Sequence, residues 1–166
     1  MKLGKRELAI ISHLRQDGRI TLKAIGRKVN APISTVFERL KLFKKSGLIR
    51  PTVLLDFTEL GFASRILVAI KIDREIREEV ENYLVTHPNV NTVQHVNNGF
   101  SLMFEALFID MRASEYFIED LDHQFKLRKK MVFYILGESK REAFLSDPAT
   151  IDMVTRKESS ALSSPL

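Results

Sequence analysis

Apolar residues recur every three or four positions through the first fifty residues of the chain, which predicts three short helices. The first is predicted near residues 4–16, where Asp17-Gly18 stops it, and the second near residues 22–29. The third starts at residue 32 or 33 and ends at residue 45 or 46. Its inward stripe consists of Val36, Leu40 and Phe43. Two short helices joined by about four residues, the second with a polar and basic outer face, are typical of a helix-turn-helix.

The rest of the chain shows the apolar runs and two-residue alternation of strands, interrupted by two helical stretches. Residues 48–56 predict a strand that leaves the helical unit, and Pro51 confines this strand to a sheet edge. The later elements are predicted as a strand at residues 65–72, a helix at 75–86, strands at 91–97 and 100–108, a helix at 114–125 and a strand at 131–136. Asn98-Gly99, between the middle two strands, is the strongest hairpin signal in the chain.

The predicted fold class is therefore α+β, with an N-terminal helix-turn-helix (winged-helix-like) domain and a C-terminal ferredoxin-like βαββαβ domain. We assign the helix-turn-helix to residues 1–50, a connecting strand and linker to residues 51–63, the βαββαβ domain to residues 64–145 and a flexible tail to residues 146–166. Both helices of the second domain are expected on one face of its antiparallel sheet. Pairing with a second copy would cover the other face, for which Phe100, Met103, Phe104 and Phe108 are available.

Composition limits the chemistry that the chain can perform. Its 166 residues include no cysteine, which excludes disulfides, thiol nucleophiles and thiolate metal sites. No apolar run approaches the roughly 20 residues that cross a bilayer, and the start has no signal-peptide pattern, so we expect a cytoplasmic protein without a membrane partner. The four histidines, His13, His87, His95 and His123, are scattered without metal-ligand spacing. We therefore expect no metal, no cofactor and no enzyme activity.

The net charge of +5 is divided unevenly along the chain. Residues 1–50 contain 13 Lys and Arg against three Asp and Glu, which gives +10. Residues 51–166 contain 13 Lys and Arg against 18 Asp and Glu, which gives −5. A basic segment joined to an acidic remainder indicates a module that binds a polyanion, attached to a partner domain.

The predicted helix-turn-helix indicates how that module would bind double-stranded DNA. Its third helix is narrow enough to enter the major groove, where side chains near the helix N-terminus meet base edges. The predicted base-facing residues are Ile33, Ser34, Thr35, Phe37 and Glu38, with Arg39 beside them. Ile33 or Phe37 could touch a thymine methyl group, and Glu38 either accepts from cytosine or orients Arg39. The predicted phosphate-facing residues are Arg19, Lys23, Arg27, Lys28, Lys41, Lys44 and Lys45.

Five short motifs occur in a specific order along residues 3–138. They are Gly18-Arg19-Ile20-Thr21, Val36 with Arg39-Leu40, Gly47-Leu48-Ile49, Asp56 through Leu60-Gly61, and His87-Pro88-x-Val90. In this order and spacing they resemble the Lrp/AsnC (feast/famine) family of bacterial and archaeal transcription regulators. The resemblance implies a nucleoid-associated protein that binds palindromic promoter sites as a homodimer built through its C-terminal sheets, or as a tetramer or octamer.

The resemblance also implies an amino-acid effector near the loop between the second and third strands of the C-terminal domain. That loop predicts Asn97, Asn98, Gly99 and Ser101 as effector-binding residues. Three positions depart from the family pattern. Ala31-Pro32 replaces Leu-Ser at the start of the recognition helix, Lys44 replaces an acidic residue, and Asn98-Gly99-Phe100-Ser101 replaces Gly-x-x-Asp. Without the aspartate a free amino group loses a partner, so a different effector, or none, is equally compatible with this loop.

Two other interpretations remain open from the residues alone. Sirohaem decarboxylases resemble Lrp/AsnC proteins and grip the propionates of a tetrapyrrole with His, Arg and Tyr residues before the third strand. Here that stretch offers only His95. The second alternative is an interaction partner of a regulator that does not itself bind DNA, against which the concentrated basic charge argues.

Overall fold

The computed structural model describes residues 3–153 and divides the chain into two compact units. One unit contains the chain up to Val53 together with the segment that begins at Lys140, and the other is Leu54–Ser139. Residues 154–166, which make up most of the predicted tail, lie outside the described residues. None of the helices between residues 3 and 153 is both long and apolar enough to cross a bilayer.

Three helices form the first unit: α1 (Lys5–Gln16), α2 (Leu22–Val29) and α3 (Ile33–Lys45). All three predicted helices are confirmed to within a residue or two. Thr21 caps α2, since its Oγ1 accepts a hydrogen bond from the backbone N–H of Ala24 at 3.2 Å. The buried core of the unit consists of Ile10, Ile11, Ile25, Val36 and Phe43.

The chain returns to this unit after the sheet domain, and we call residues 140–153 the return segment. A 3-10 helix at Pro148–Thr150 packs beside α1, and Ile151 is 6% exposed. Glu142 Oε2 lies 3.1 Å from Arg15 Nη2, and Asp152 Oδ1 lies 2.8 Å from Lys5 Nζ. The expectation that residues 140–145 belong to the βαββαβ domain and residues 146–153 to a flexible tail is therefore corrected, because burial of an isoleucine and two ion pairs tie the segment to the helical unit.

The second unit contains β1 (Ser64–Lys71), α4 (Arg77–Thr86), β2 (Val90–His95), β3 (Leu102–Phe108), α5 (Met111–Phe125) and β4 (Lys129–Tyr134). Its four strands form one antiparallel sheet in the order β2-β3-β1-β4. This order confirms the predicted ferredoxin-like arrangement. The hairpin at Asn98-Gly99 is also confirmed, and both residues adopt the positive φ angles, 61° and 86°, that such a turn requires.

Helices α4 and α5 pack on one face of the sheet, where they cover a core of aliphatic and aromatic residues. That core includes Ile66, Val68, Ile70, Leu102, Phe104, Phe108, Val80, Leu84, Phe117 and Leu121. Phe104 and Phe108, expected on the uncovered face, are thus buried beneath the helices. Strand alternation explains the correction, because Met103 and its neighbour Phe104 must point to opposite faces.

The opposite face of the sheet is lined by residues that the pairing register places side by side. Leu67 pairs with Phe133, and Ala69 pairs with both Met131 and Met103. Met131 and Phe133 remain 41% and 44% exposed. We call Leu67, Ala69, Met103, Met131 and Phe133 the outer sheet face.

The strand expected at residues 48–56 is not formed. Every residue between Lys45 and Ser64 is described, and this stretch contains no strand. A strand needs a neighbour to satisfy its backbone, and Pro51 has no N–H to donate. The linker instead ends in a turn in which Asp56 Oδ1 accepts from the N–H groups of Thr58 and Glu59 at 3.0 and 3.2 Å.

Candidate DNA-binding interface

The turn between α2 and α3 depends on a glycine that the sequence analysis did not single out. Asn30 ends α2 in the left-handed conformation, with φ at 49°, and the N–H of Ala31 donates to the carbonyl of Gly26 at 2.9 Å. A Cβ at Gly26 would lie 2.7 Å from the carbonyl oxygen of Ala31. The sequence feature that could have revealed it is a glycine within a predicted eight-residue helix. Glycine is about 1 kcal/mol less favourable than alanine there, so its presence indicates a position where close packing requires it.

The first turn of α3 is open to a ligand. Pro32 occupies the N-cap position with φ at −56° and forms no side-chain cap hydrogen bond. The first N–H groups of a helix have no intrahelical acceptor, and they carry the positive end of its dipole. Because Pro32 has no side-chain acceptor, these groups remain available to an external acceptor, with the side chain of Ser34 exposed beside them.

The side chains of α3 that were predicted to face bases are almost all exposed. Ile33 is 49% and Phe37 is 51% exposed, and Ser34 and Glu38 are exposed as well. Thr35 is half-buried. These residues occupy the first half of α3, the part that meets base edges when such a helix enters a major groove.

The cations that were predicted to face phosphates are all exposed. They are Arg19, Lys23, Arg27, Lys28, Lys41, Lys44 and Lys45. Within residues 3–153 none of the seven forms an ion pair, so their charge is not compensated inside the protein. An uncompensated cluster of this size attracts a polyanion through its field as well as through direct contacts.

A groove of about 500 Å³ lies over the turn between α2 and α3. Its lining residues are Lys23, Gly26, Arg27, Asn30, Ala31, Pro32 and Ile33. Two of them are cations and none is an anion, so the groove suits an anionic group such as a phosphate.

Arg39 departs from the predicted set. Its Nε lies 3.3 Å from Glu7 Oε1 of α1, and the Glu7 side chain is only 19% exposed. Glu7 Oε2 also accepts from the backbone N–H of Gly4 at 3.1 Å. Arg39 therefore links α3 to α1 through an ion pair, while 47% of its side chain stays exposed.

The four residues predicted to bind an effector have different environments in the structure. Asn97, Asn98 and Gly99 are exposed at the tip of the hairpin. Ser101 is buried, and its Oγ accepts from the N–H of Ile72 at 3.4 Å. The Ser101 hydroxyl is thus hydrogen-bonded to the backbone at the end of β1, whereas the hairpin tip is exposed to solvent.

His95, on which the tetrapyrrole interpretation depended, lies beside α4. Its Nε2 is 3.0 Å from Glu81 Oε1. Among residues 3–153 no group of three or more His, Asp or Glu side chains is arranged to hold a metal ion.

Comparison with known proteins assigns a family to this architecture. Residues 3–50 match the winged helix-turn-helix DNA-binding domain. An uncharacterized HTH-type transcriptional regulator of Pyrococcus abyssi is 30% identical over 122 residues, which cover 71% of this chain and 75% of the relative. The HTH-type transcriptional regulator LrpC of Bacillus subtilis is 27% identical over 119 residues, 71% of this chain and 83% of LrpC. The chain belongs to the Lrp/AsnC family of transcriptional regulators.

Solved structures of transcriptional regulators share the fold over most of this chain. B. subtilis LrpC matches with a TM-score of 0.75 at 24% identity, covering 84% of this chain and 99% of LrpC. A transcriptional regulator of Neisseria meningitidis in complex with L-Met matches with a TM-score of 0.77 at 22% identity, covering 84% and 94%. The helix-turn-helix of this Lrp/AsnC regulator is accordingly its DNA-binding module, and the protein is a DNA-binding transcriptional regulator.

Proposed function

We propose that this regulator binds inverted-repeat promoter sites as a homodimer formed through the outer sheet face, and that a small metabolite modulates its binding. The observation that carries the proposal is an open apolar sheet face in a chain whose other unit presents a cationic recognition helix. In a monomer, Met131 and Phe133 stay 41% and 44% exposed, and this apolar area contributes no free energy of burial. A second copy of the same face would bury both side chains around a twofold axis.

The outer sheet face also carries charged residues, since Glu105 lies opposite Leu67 and Arg65 is on the same side of β1, but these residues are compatible with burial in such an interface. Arg65 Nε donates to Glu105 Oε2 at 2.7 Å, and Asn91 Nδ2 donates to Glu105 Oε1 at 2.6 Å. Arg65 Nη1 lies 3.1 Å from Glu138 Oε1. Because the charges already have partners within one chain, covering them does not leave an isolated ion without water.

A twofold dimer would present two copies of α3, which is why the proposed sites are inverted repeats. Assembly of dimers into tetramers or octamers would let the protein contact several sites and bend the DNA between them. The setting we propose is the cytoplasm of a bacterium or archaeon, with the protein on the nucleoid.

An effector would bind at the hairpin tip formed by Asn97, Asn98 and Gly99. The tip is exposed, and the related N. meningitidis regulator was solved with L-Met. This hairpin offers amide and backbone groups without a carboxylate, so the proposed effector need not be an amino acid.

One experiment tests the dimer and its DNA site together. Genomic fragments bound by the purified protein are selected and sequenced, and light scattering measures the mass of the free protein. We expect inverted repeats and at least a dimeric mass. A monomeric mass, or selected sites that contain a single unrepeated motif, would contradict the proposal.

The effector is tested separately by repeating the selection with L-Met and with a panel of other metabolites. We expect at least one compound to change the affinity for a fixed site, and Asn98→Ala to abolish that change without altering affinity in its absence. If no compound in the panel has an effect, the proposed effector site is wrong and the dimer is unaffected.

A further inference from the structure

Three large apolar side chains are exposed on the recognition helix, Ile33, Phe37 and Leu42, and the first two lie in its N-terminal half, the half that meets base edges. Ile33 is 49% and Phe37 is 51% exposed, and they are four residues apart, so they lie on the same side of α3 on successive turns. Val36 and Phe43 on the other side of the helix are fully buried. The core of the unit is therefore complete without Ile33 and Phe37, and packing gives no reason for their apolar character.

The charges around this pair identify the partner that would cover it. Lys41 and Lys44 lie one and two turns farther along α3, and both are exposed. Lys23 and Arg27 line the groove that Ile33 also lines. A second copy of this cationic surface would be repelled, whereas the phosphates of DNA complement it.

Within the major groove only one base offers an apolar group. Thymine carries a C5-methyl, while the remaining groups on the base edges are hydrogen-bond donors and acceptors. Phe37 and Ile33 have no side-chain donor or acceptor, so the apolar methyl is the base-edge feature that they can distinguish.

We propose that Phe37 and Ile33 read thymine methyl groups, so that each half-site contains thymines at the positions these side chains meet. The inference rests on the proposed binding of inverted-repeat sites and names the base that each half-site selects. Specificity at those positions then comes from contact with the methyl groups, and the lysines contribute affinity without choosing the sequence.

Replacement of thymine by deoxyuridine tests this directly, since it removes the methyl and keeps every hydrogen-bonding group. A bound site from the genomic selection is synthesised with each thymine replaced in turn, and binding of the full-length protein is measured by fluorescence anisotropy. Removing one contacted methyl should weaken binding about fourfold, the factor that corresponds to one buried methyl or methylene group. The scan uses the unaltered protein, so it does not depend on the folding of a variant.

Phe37→Ala then identifies the side chain. It should bind the thymine and uracil probes equally at the sensitive position, and Ile33→Ala should do so at a second position. Lys45→Gln is the matched control on the same helix: it should weaken binding to both probes by the same factor.

The outcomes distinguish a failure of methyl reading from a failure of the proposed function. If the protein binds the selected site but no uracil replacement changes its affinity, methyl reading is wrong while DNA binding stands. If Phe37→Ala keeps the full thymine preference, Phe37 is not the reader and the inference fails. If the protein binds no DNA at low salt, where phosphate contacts are strongest, the proposed function itself fails.

Discussion

At Gly26 the turn comes so close to α2 that a methyl group would lie 2.7 Å from the backbone carbonyl oxygen of Ala31. Because that oxygen belongs to the backbone, relief requires the turn itself to move. Gly26→Ala should destabilise the helical unit by about 1–3 kcal/mol, the usual cost of overpacking, and should weaken DNA binding as α3 shifts. Thermal denaturation and fluorescence anisotropy measure the two effects.

Gly18→Ala is the control for that substitution, since nothing lies within 4 Å of a Cβ at Gly18. It should change neither stability nor DNA affinity appreciably. Equal melting temperatures for the two alanine variants would show that the turn absorbs the methyl group, and would remove Gly26 from the residues that shape the interface.

His87 should make the stability of the sheet unit depend on pH. Its ring lies 5.6 Å from that of Tyr83 and 4.7 Å from that of Phe117, and its Nδ1 accepts from the N–H of Asn89 at 3.2 Å. Burial lowers the pKa of His87 below its ordinary value of 6.5, because the charged imidazolium is poorly solvated there. The unfolded chain therefore takes up a proton at a higher pH than the folded one.

The sign of the effect follows from that difference in pKa. The contribution of His87 to stability is complete above about pH 6.5 and is lost as the pH falls through the lowered folded pKa. His87→Asn keeps an acceptor for Asn89 but removes the titration, so its melting temperature should fall less than that of the wild type between about pH 7.5 and pH 5. His123→Asn, which changes an exposed histidine of α5, is the matched control. Parallel curves for wild type and His87→Asn would contradict the assignment.

The elements of the helical unit include one that comes from the far end of the sequence. Lys5, Leu8, Ser12 and Arg15 form a stripe along α1, and Leu8 and Ser12 are buried although neither belongs to the core between the helices. The two ends of the stripe pair with Asp152 and Glu142 of the return segment. α1 is therefore buried along two stripes, one of which faces residues that follow the sheet domain.

Removing residues 140–166 should therefore loosen the helical unit. Exposed ion pairs contribute about 0–1 kcal/mol each, so most of the loss comes from Ile151, whose burial contributes about 1.5–3 kcal/mol. Hydrogen exchange of the amides in α1, α2 and α3 measures the opening of this unit separately from the sheet. Faster exchange is expected there and not in β1–β4.

Removing only residues 154–166 is the matched control, because it leaves every described contact of the return segment in place. Ile151→Ala should reproduce most of the effect of the longer truncation, because it removes most of the apolar side chain that the segment buries. Unchanged exchange in α1 after removal of residues 140–166 would mean that the segment contributes nothing to the unit.

The elements also show what local sequence can predict. The helical periods of α1–α3, the hairpin at Asn98-Gly99 and the βαββαβ order depend on neighbours in sequence, and all were predicted. The false strand at residues 48–56 looked extended locally, but a strand also needs a partner, which no local pattern reports. The return segment was missed for the same reason, since it packs beside α1, a helix more than a hundred residues away in the sequence.

Among the site residues, exposure and charge could be predicted but orientation could not always be. The seven cations named from the sequence are all exposed, because long charged side chains rarely bury. Arg39 differs since it lies within reach of Glu7, a contact between helices that are far apart in the sequence. Ser101 differs because its hydroxyl accepts from the backbone N–H of Ile72, just after β1, a residue distant in the sequence.

At the scale of the whole molecule, the +10 of residues 1–50 and the outer sheet face belong to different units. A substitution on the sheet should therefore abolish dimerisation without weakening the contact of one helix-turn-helix with DNA. Phe133→Asp places a charge in the proposed interface and should yield a monomer, while α3 is untouched. Two linked recognition helices bind an inverted repeat about 10²–10⁴ times more tightly than one does. The variant should lose that factor on an inverted repeat and keep the wild-type affinity for a single half-site.

Tyr116→Asp controls for the added negative charge, since Tyr116 is 63% exposed on α5, a helix that packs against the opposite face of the sheet. It should remain dimeric and retain the wild-type preference for the inverted repeat. Light scattering gives the mass of each protein, and anisotropy titrations on the repeat and on the half-site give the two affinities. If Phe133→Asp were monomeric yet bound the repeat as tightly as the wild type, the sheet would assemble the protein without contributing to DNA binding. Loss of half-site affinity in the same variant would instead mean that the two units are not independent, which the separation of their cores argues against.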